Sequence, residues 1–129
     1  MLPAKLITTL FGVTFILDGL LGFIPNPIVA HDGIFAVNAM HNLVHILTGA
    51  GFLAGGYLCY ARQTIIGIGV AYVAVTVLGF LTTGDMLLGL VHINLADRWL
   101  HAALAVAIVA AGFVASDETT ASRSKAVTS

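Results

Sequence analysis

Asn38-Ala-Met-His41-Asn42-Leu-Val-His45-Ile-Leu-Thr-Gly49 and Asn94-Leu-Ala-Asp97-Arg98-Trp-Leu-His101 are matching polar clusters, each at the mouth of a long apolar run. Asn38, His41 and His45 stand three and four residues apart, as do Asn94, Asp97 and His101, so each set projects from one helical face. Ionisable groups are expensive in lipid and need a partner or a task. Around them the chain of 129 residues is 59% hydrophobic and only 9% charged, and its apolar residues form blocks, not one stripe per helix. That composition excludes an ordinary soluble domain.

Four blocks approach the roughly 20 residues a helix needs to cross a bilayer: Leu6 to Ile24, Leu43 to Ala61, Ile65 to Leu81 and Trp99 to Val114. Leu87 to Val91 can prolong the third, and Asp97 can begin the fourth. Lys5 before the first block imitates a signal peptide. The run, however, is too long for one, carries Asp18 and ends in Pro25-Asn26-Pro27, so it reads as a retained first spanning helix.

Lys5, Arg62, Arg123 and Lys125 fall on one side of this arrangement and Arg98 alone on the other, which places both termini in the cytoplasm. The opposite connections, Pro25 to Met40 and Thr82 to Ala96, then lead into the two polar clusters. Gly12-Val13 and Leu21-Gly22-Phe23 return 57 positions later as Gly69-Val70 and Leu78-Gly79-Phe80. Asn38, Val44 and His45 return 56 positions later as Asn94, Leu100 and His101. The expected fold is all-α: a polytopic membrane four-helix bundle of two parallel helix-loop-helix repeats, 6–61 and 65–115, within one domain, 1–115. A polar cytoplasmic tail, 116–129, follows, with no apolar segment to bury.

Three chemistries suit the clusters. A structural network ties helix ends to loops, with Asn38 and Asn94 as caps and Asp97 at the positive end of its helix. A metal site would take His41, His45, Asp97 and His101 as ligands, with Asp18, at a similar depth, orienting an imidazole. Haem or a pigment would sit between His45 and His101, without covalent attachment, because Cys59 is the only cysteine. Gly51-x-x-x-Gly55 offers a small-residue face for self-association or another membrane protein.

The remaining residues read plainly. His31, Asp32, Asp85 and His92 belong to loops; Tyr57, Tyr60 and Trp99 suit the membrane interface; Cys59 is a buried or interfacial thiol. The tail is too weakly basic for a nucleic-acid arm, and no phosphate loop, zinc ribbon or His-Glu-x-x-His sequence occurs.

The runs His41–Gly49 and Asn94–His101, with the four-helix hydropathy over Leu6 to Val114, resemble the bacterial membrane-protein family called domain of unknown function 4383. That resemblance implies a bacterial cytoplasmic (inner) membrane location and gives Asn38, His41, Asn42, His45, Asn94, Asp97 and His101 as recurrent positions without an assigned activity. Arg98 and Trp99 depart from the Asn and aliphatic residue expected there, leaving room for a specialised lipid or protein contact. The expected function is that of a small membrane accessory or complex-associated protein, in contact with lipid, needing no cofactor and without enzymatic activity. A metal-dependent membrane hydrolase and a haem- or pigment-binding redox subunit are the alternatives.

Overall fold

The computed structural model describes residues 2–116, so the tail expected over 116–129 lies outside the described residues except for Ser116. Four helices carry the fold: α1 (Ala4–Leu21), α2 (Ala39–Tyr57), α3 (Ala61–Leu81) and α4 (Leu95–Val114). α1, α3 and α4 are long and apolar enough to cross a membrane. α2 is as long, but His41, Asn42 and His45 lower its hydropathy. These polar residues are turned inward and the apolar ones outward, with Leu17, Val70, Val106 and Phe113 all more than half exposed. That inversion of a soluble surface puts the outer faces in contact with lipid, and the protein is a multi-pass membrane protein.

The edges differ from the hydropathy blocks for a physical reason. α2 and α4 begin at their Asn caps, four residues ahead of Leu43 and Trp99, because capped polar turns remain helical where hydropathy fails. α3 likewise starts at Ala61, against the expected Ile65, and α1 stops at Leu21, before the Pro25-Asn26-Pro27 break. The fold is not wholly helical. Short two-residue ladders join β1 (Leu2–Pro3) to β6 (Ala115–Ser116), β2 (Val29–Ala30) to β3 (Phe35–Ala36), and β4 (Met86–Leu87) to β5 (Val91–His92).

The close pairs are α1 on α2 and α3 on α4. At the first interface the backbones almost touch: a Cβ on Gly49 would stand 2.6 Å from the Gly12 carbonyl oxygen. Phe11, Phe15 and Phe52 stack beside this crossing, with Tyr72 edge-on to Phe15, and Ile65 and Ile108 complete the buried core. Of Gly51-x-x-x-Gly55, only Gly55 is closely packed. Gly55 lies against Thr64 within the protein, whereas Gly51 has only the tip of Ile68 at 3.8 Å.

Cys59 is exposed, at the α2–α3 turn, and not buried, which leaves the interfacial alternative of the two expected. Its φ of 67° is left-handed, and the Tyr60 N–H reaches back 2.8 Å to the Gly55 carbonyl, closing the helix as a Schellman turn.

Candidate metal centre at the loop end of the bundle

The two Asn caps fix where the site's helices begin. Asn38 Oδ1 accepts the His41 backbone N–H at 2.9 Å, and Asn94 Oδ1 accepts that of Asp97 at 2.9 Å. Asp97 returns the contact by accepting the Asn94 N–H at 2.9 Å, a capping box. Each cap then crosses to the other half of the chain: Asn38 Nδ2 donates to Leu90 O at 3.0 Å, and Asn94 Nδ2 donates to Ile34 O at 2.9 Å. This reciprocal tie holds both loops and both helix starts as one unit.

Helical spacing from these starts brings three imidazoles together. His41, His45 and His101 are 1%, 3% and 4% exposed, with ring centroids 4.6 Å (41–45), 5.4 Å (41–101) and 6.2 Å (45–101) apart. One nitrogen from each lies within 4.8 Å of the others. Phe15 stands edge-on to His45 and Tyr72 edge-on to His101, so the walls are aromatic.

The hydrogen bonds assign the tautomers. His41 Nδ1 is 2.7 Å from the His92 carbonyl oxygen, which only accepts, so Nδ1 carries the proton. His45 Nδ1 likewise donates to the Asp18 carboxylate across the α1–α2 interface. In the neutral imidazoles both Nε2 atoms then carry the lone pair, and both are buried without a hydrogen-bond partner. An outer nitrogen tied to a carbonyl or carboxylate, with the inner one free, is how metal-binding histidines are oriented.

The sequence-derived set is brought together in part. His41, His45 and His101 converge, and Asp18 orients His45 from α1 as its depth suggests. Asp97, though 1% exposed, lies outside the three-imidazole group, with its Oδ2 engaged in the helix cap. It does line, with Asp18, His45, Leu100 and Val37, an adjoining cavity of about 280 Å³. The contribution of His92 was not legible, because it acts through its backbone carbonyl. Asn42 is a further buried member: its Oδ1 lacks a partner, and its side chain packs on Gly22.

Residues 5–114 match the family model described as Domain of unknown function (DUF4383). The chain belongs to that family. No curated protein and no solved structure matches it. Within this DUF4383 chain the two departures from the expected pattern serve the fold. Arg98 donates from Nε to Gly79 O at 2.8 Å and from Nη2 to Gly84 O, satisfying one carbonyl in the last turn of α3 and one in the loop that follows. Trp99 packs edge-on against Phe80, with centroids 5.1 Å apart.

Proposed function

We propose that this chain is a metal-binding membrane protein that holds a zinc-class divalent ion on His41, His45 and His101. The observation that carries the reading is the pair of buried, unpartnered Nε2 atoms on His41 and His45. A purely structural network would leave both unmade, at about 1–3 kcal/mol each. An ion accepts both lone pairs at once. Neutral imidazoles suit zinc, copper, iron and nickel. Ligand nitrogens around a tetrahedral ion lie about 3.4 Å apart, so binding an ion would draw the three rings in from separations of up to 4.8 Å.

Three protein ligands make an open site, with one position left for water or another ligand, as in hydrolytic zinc centres and unlike closed structural ones. This feature supports the metal-dependent hydrolase reading more than a closed four-ligand site with Asp97. Haem is disfavoured: His41 packs on both His45 and His101, where the plane of a macrocycle would have to lie.

The location proposed is the non-cytoplasmic side of a bacterial inner membrane, with both termini cytoplasmic. Lys5 and Arg62 at the opposite end of the bundle support it, against Arg98 alone at the site end. Two parallel repeats, supported by the reciprocal Asn38 and Asn94 ties, form the scaffold. An accessory role in a larger assembly is compatible with this centre. With Gly55 occupied by Thr64, a partner helix at the Gly51-x-x-x-Gly55 face would meet Gly51 alone.

Elemental analysis of protein purified from native membranes in mild detergent, without chelator, tests the proposal. About one ion per chain, reduced by His41→Ala, is expected. A metal-free protein that also takes up no zinc on titration overturns it.

A further inference from the structure

α1 and α4 do not pack closely on each other, and the space between them is an apolar groove of about 470 Å³. Ile7, Leu10 and Phe11 line it from α1, and Leu104 and Ala111 from α4. The β1–β6 pairing of Leu2 with Ala115 closes one end. At the other end the lining reaches Asp18 and Leu100, which also line the 280 Å³ cavity containing His45 and Asp97. Groove and cavity therefore adjoin across Asp18 and Leu100, and Asp18 is the carboxylate that orients His45.

We infer that this groove binds the alkyl chain of a membrane amphiphile whose hydroxylic, uncharged head enters the cavity beside His45. The inference rests on the metal reading for the head's destination and on the groove itself for the chain. Leu10, 60% exposed, makes the groove continuous with the lipid-contacting surface, so its solvent is acyl chain. From Ile7 to Asp18 the helix rises about 16 Å, close to the roughly 15 Å depth of one leaflet of a 30 Å hydrocarbon core. One leaflet's chain thus fits with its head at Asp18 and its tail near Ile7, leaving the Leu2 end of the groove unfilled.

The head's chemistry follows from charge. The groove and cavity linings hold two carboxylates, Asp18 and Asp97, and no Lys or Arg. With a divalent ion on three neutral imidazoles, those carboxylates balance its charge, and nothing remains to favour an anionic head. A hydroxyl finds acceptors in the carboxylates and an open position on the ion. A monoacylglycerol represents this class, and a fatty acid of the same chain does not.

The test uses the full chain, metal-loaded, in phosphatidylcholine vesicles, with two probes carrying the same mid-chain diazirine: a monoacylglycerol and a fatty acid. After photolysis, adducts are mapped by peptide mass spectrometry and metal is measured on the same sample. Saturable monoacylglycerol labelling of the 10–15 and 104–111 segments is expected, roughly tenfold above the fatty acid. Leu10→Trp and Ala111→Trp, filling the groove from opposite helices, are each expected to abolish that labelling while keeping the metal. Labelling no greater than that of Val70 and Val73 on the outer face of α3, or equal for both heads, overturns the inference. Persistent groove labelling on a chain that holds no metal would sink the metal reading and leave the chain site standing; bound metal with uniform labelling does the reverse.

Discussion

Replacing Gly19 by Ala tests whether the α1–α2 crossing sets the geometry of the metal centre. Gly19 follows Asp18, and a Cβ there would stand 2.7 Å from the Asn42 carbonyl oxygen and 2.6 Å from Ile46 Cγ1. Ile46 can rotate, but the carbonyl belongs to the helical turn that carries His45. Ordinary contact begins near 3.4 Å, so the helices must part by about 0.7 Å at this level. Overpacking of this kind costs about 1–3 kcal/mol, and the better helix propensity of Ala returns up to about 1 kcal/mol. The expected net loss is about 1–2 kcal/mol. The same separation draws Asp18 away from His45, and losing such an orienting partner lowers metal affinity about 10- to 100-fold. Gly67→Ala is the control, since nothing lies within 4 Å of its added Cβ. Stability is read by circular dichroism as SDS is titrated into mild micelles, and affinity by competition with a fluorescent zinc chelator. The reasoning fails if Gly19→Ala and Gly67→Ala unfold at the same SDS fraction and bind zinc equally.

Other perturbations separate the parts of the site. Asp18→Asn keeps the shape but removes the carboxylate charge, so zinc affinity should fall about 10- to 100-fold with the helical spectrum unchanged; unchanged affinity would remove Asp18 from the centre. Asn94→Ala deletes a capping box and the tie to Ile34, and a loss of about 1–2 kcal/mol is expected in the same SDS titration, larger than for an exposed loop substitution such as Asp32→Ala. Cys59→Gly relieves a left-handed non-glycine residue and should stabilise the α2–α3 turn by roughly 1 kcal/mol; a loss would mean that the thiol has an unseen partner.

Much of the scaffold was legible because lipid imposes simple rules. Apolar blocks became helices, Asn38 and Asn94 became caps, and counting turns put Asp18 level with His45. Hydropathy misplaced the starts of α2 and α4 because it scores His41 and Asp97 as loop residues, whereas capping and burial against other helices keep them helical. Of the Gly-x-x-x-Gly pair only Gly55 is closely approached, since packing is decided by what opposes each glycine: Thr64 opposes Gly55 and Gly12 opposes Gly49, while only the tip of Ile68 nears Gly51. Asp97 matched a ligand by spacing, and in the structure its Oδ2 accepts from the Asn94 backbone N–H at the helix cap. The bonds from Asn38 to Leu90 and from His41 to His92 end on backbone carbonyls, which side-chain identity cannot signal.

The most direct test of the central claim is zinc stoichiometry and affinity of the full chain beside His41→Ala, His45→Ala and His101→Ala, with the helical spectrum of each recorded. Tight binding of about one ion per chain, lost in all three variants while the helices persist, is the expected result. Equal zinc binding by the parent and the variants, or none by a folded parent, would contradict the account.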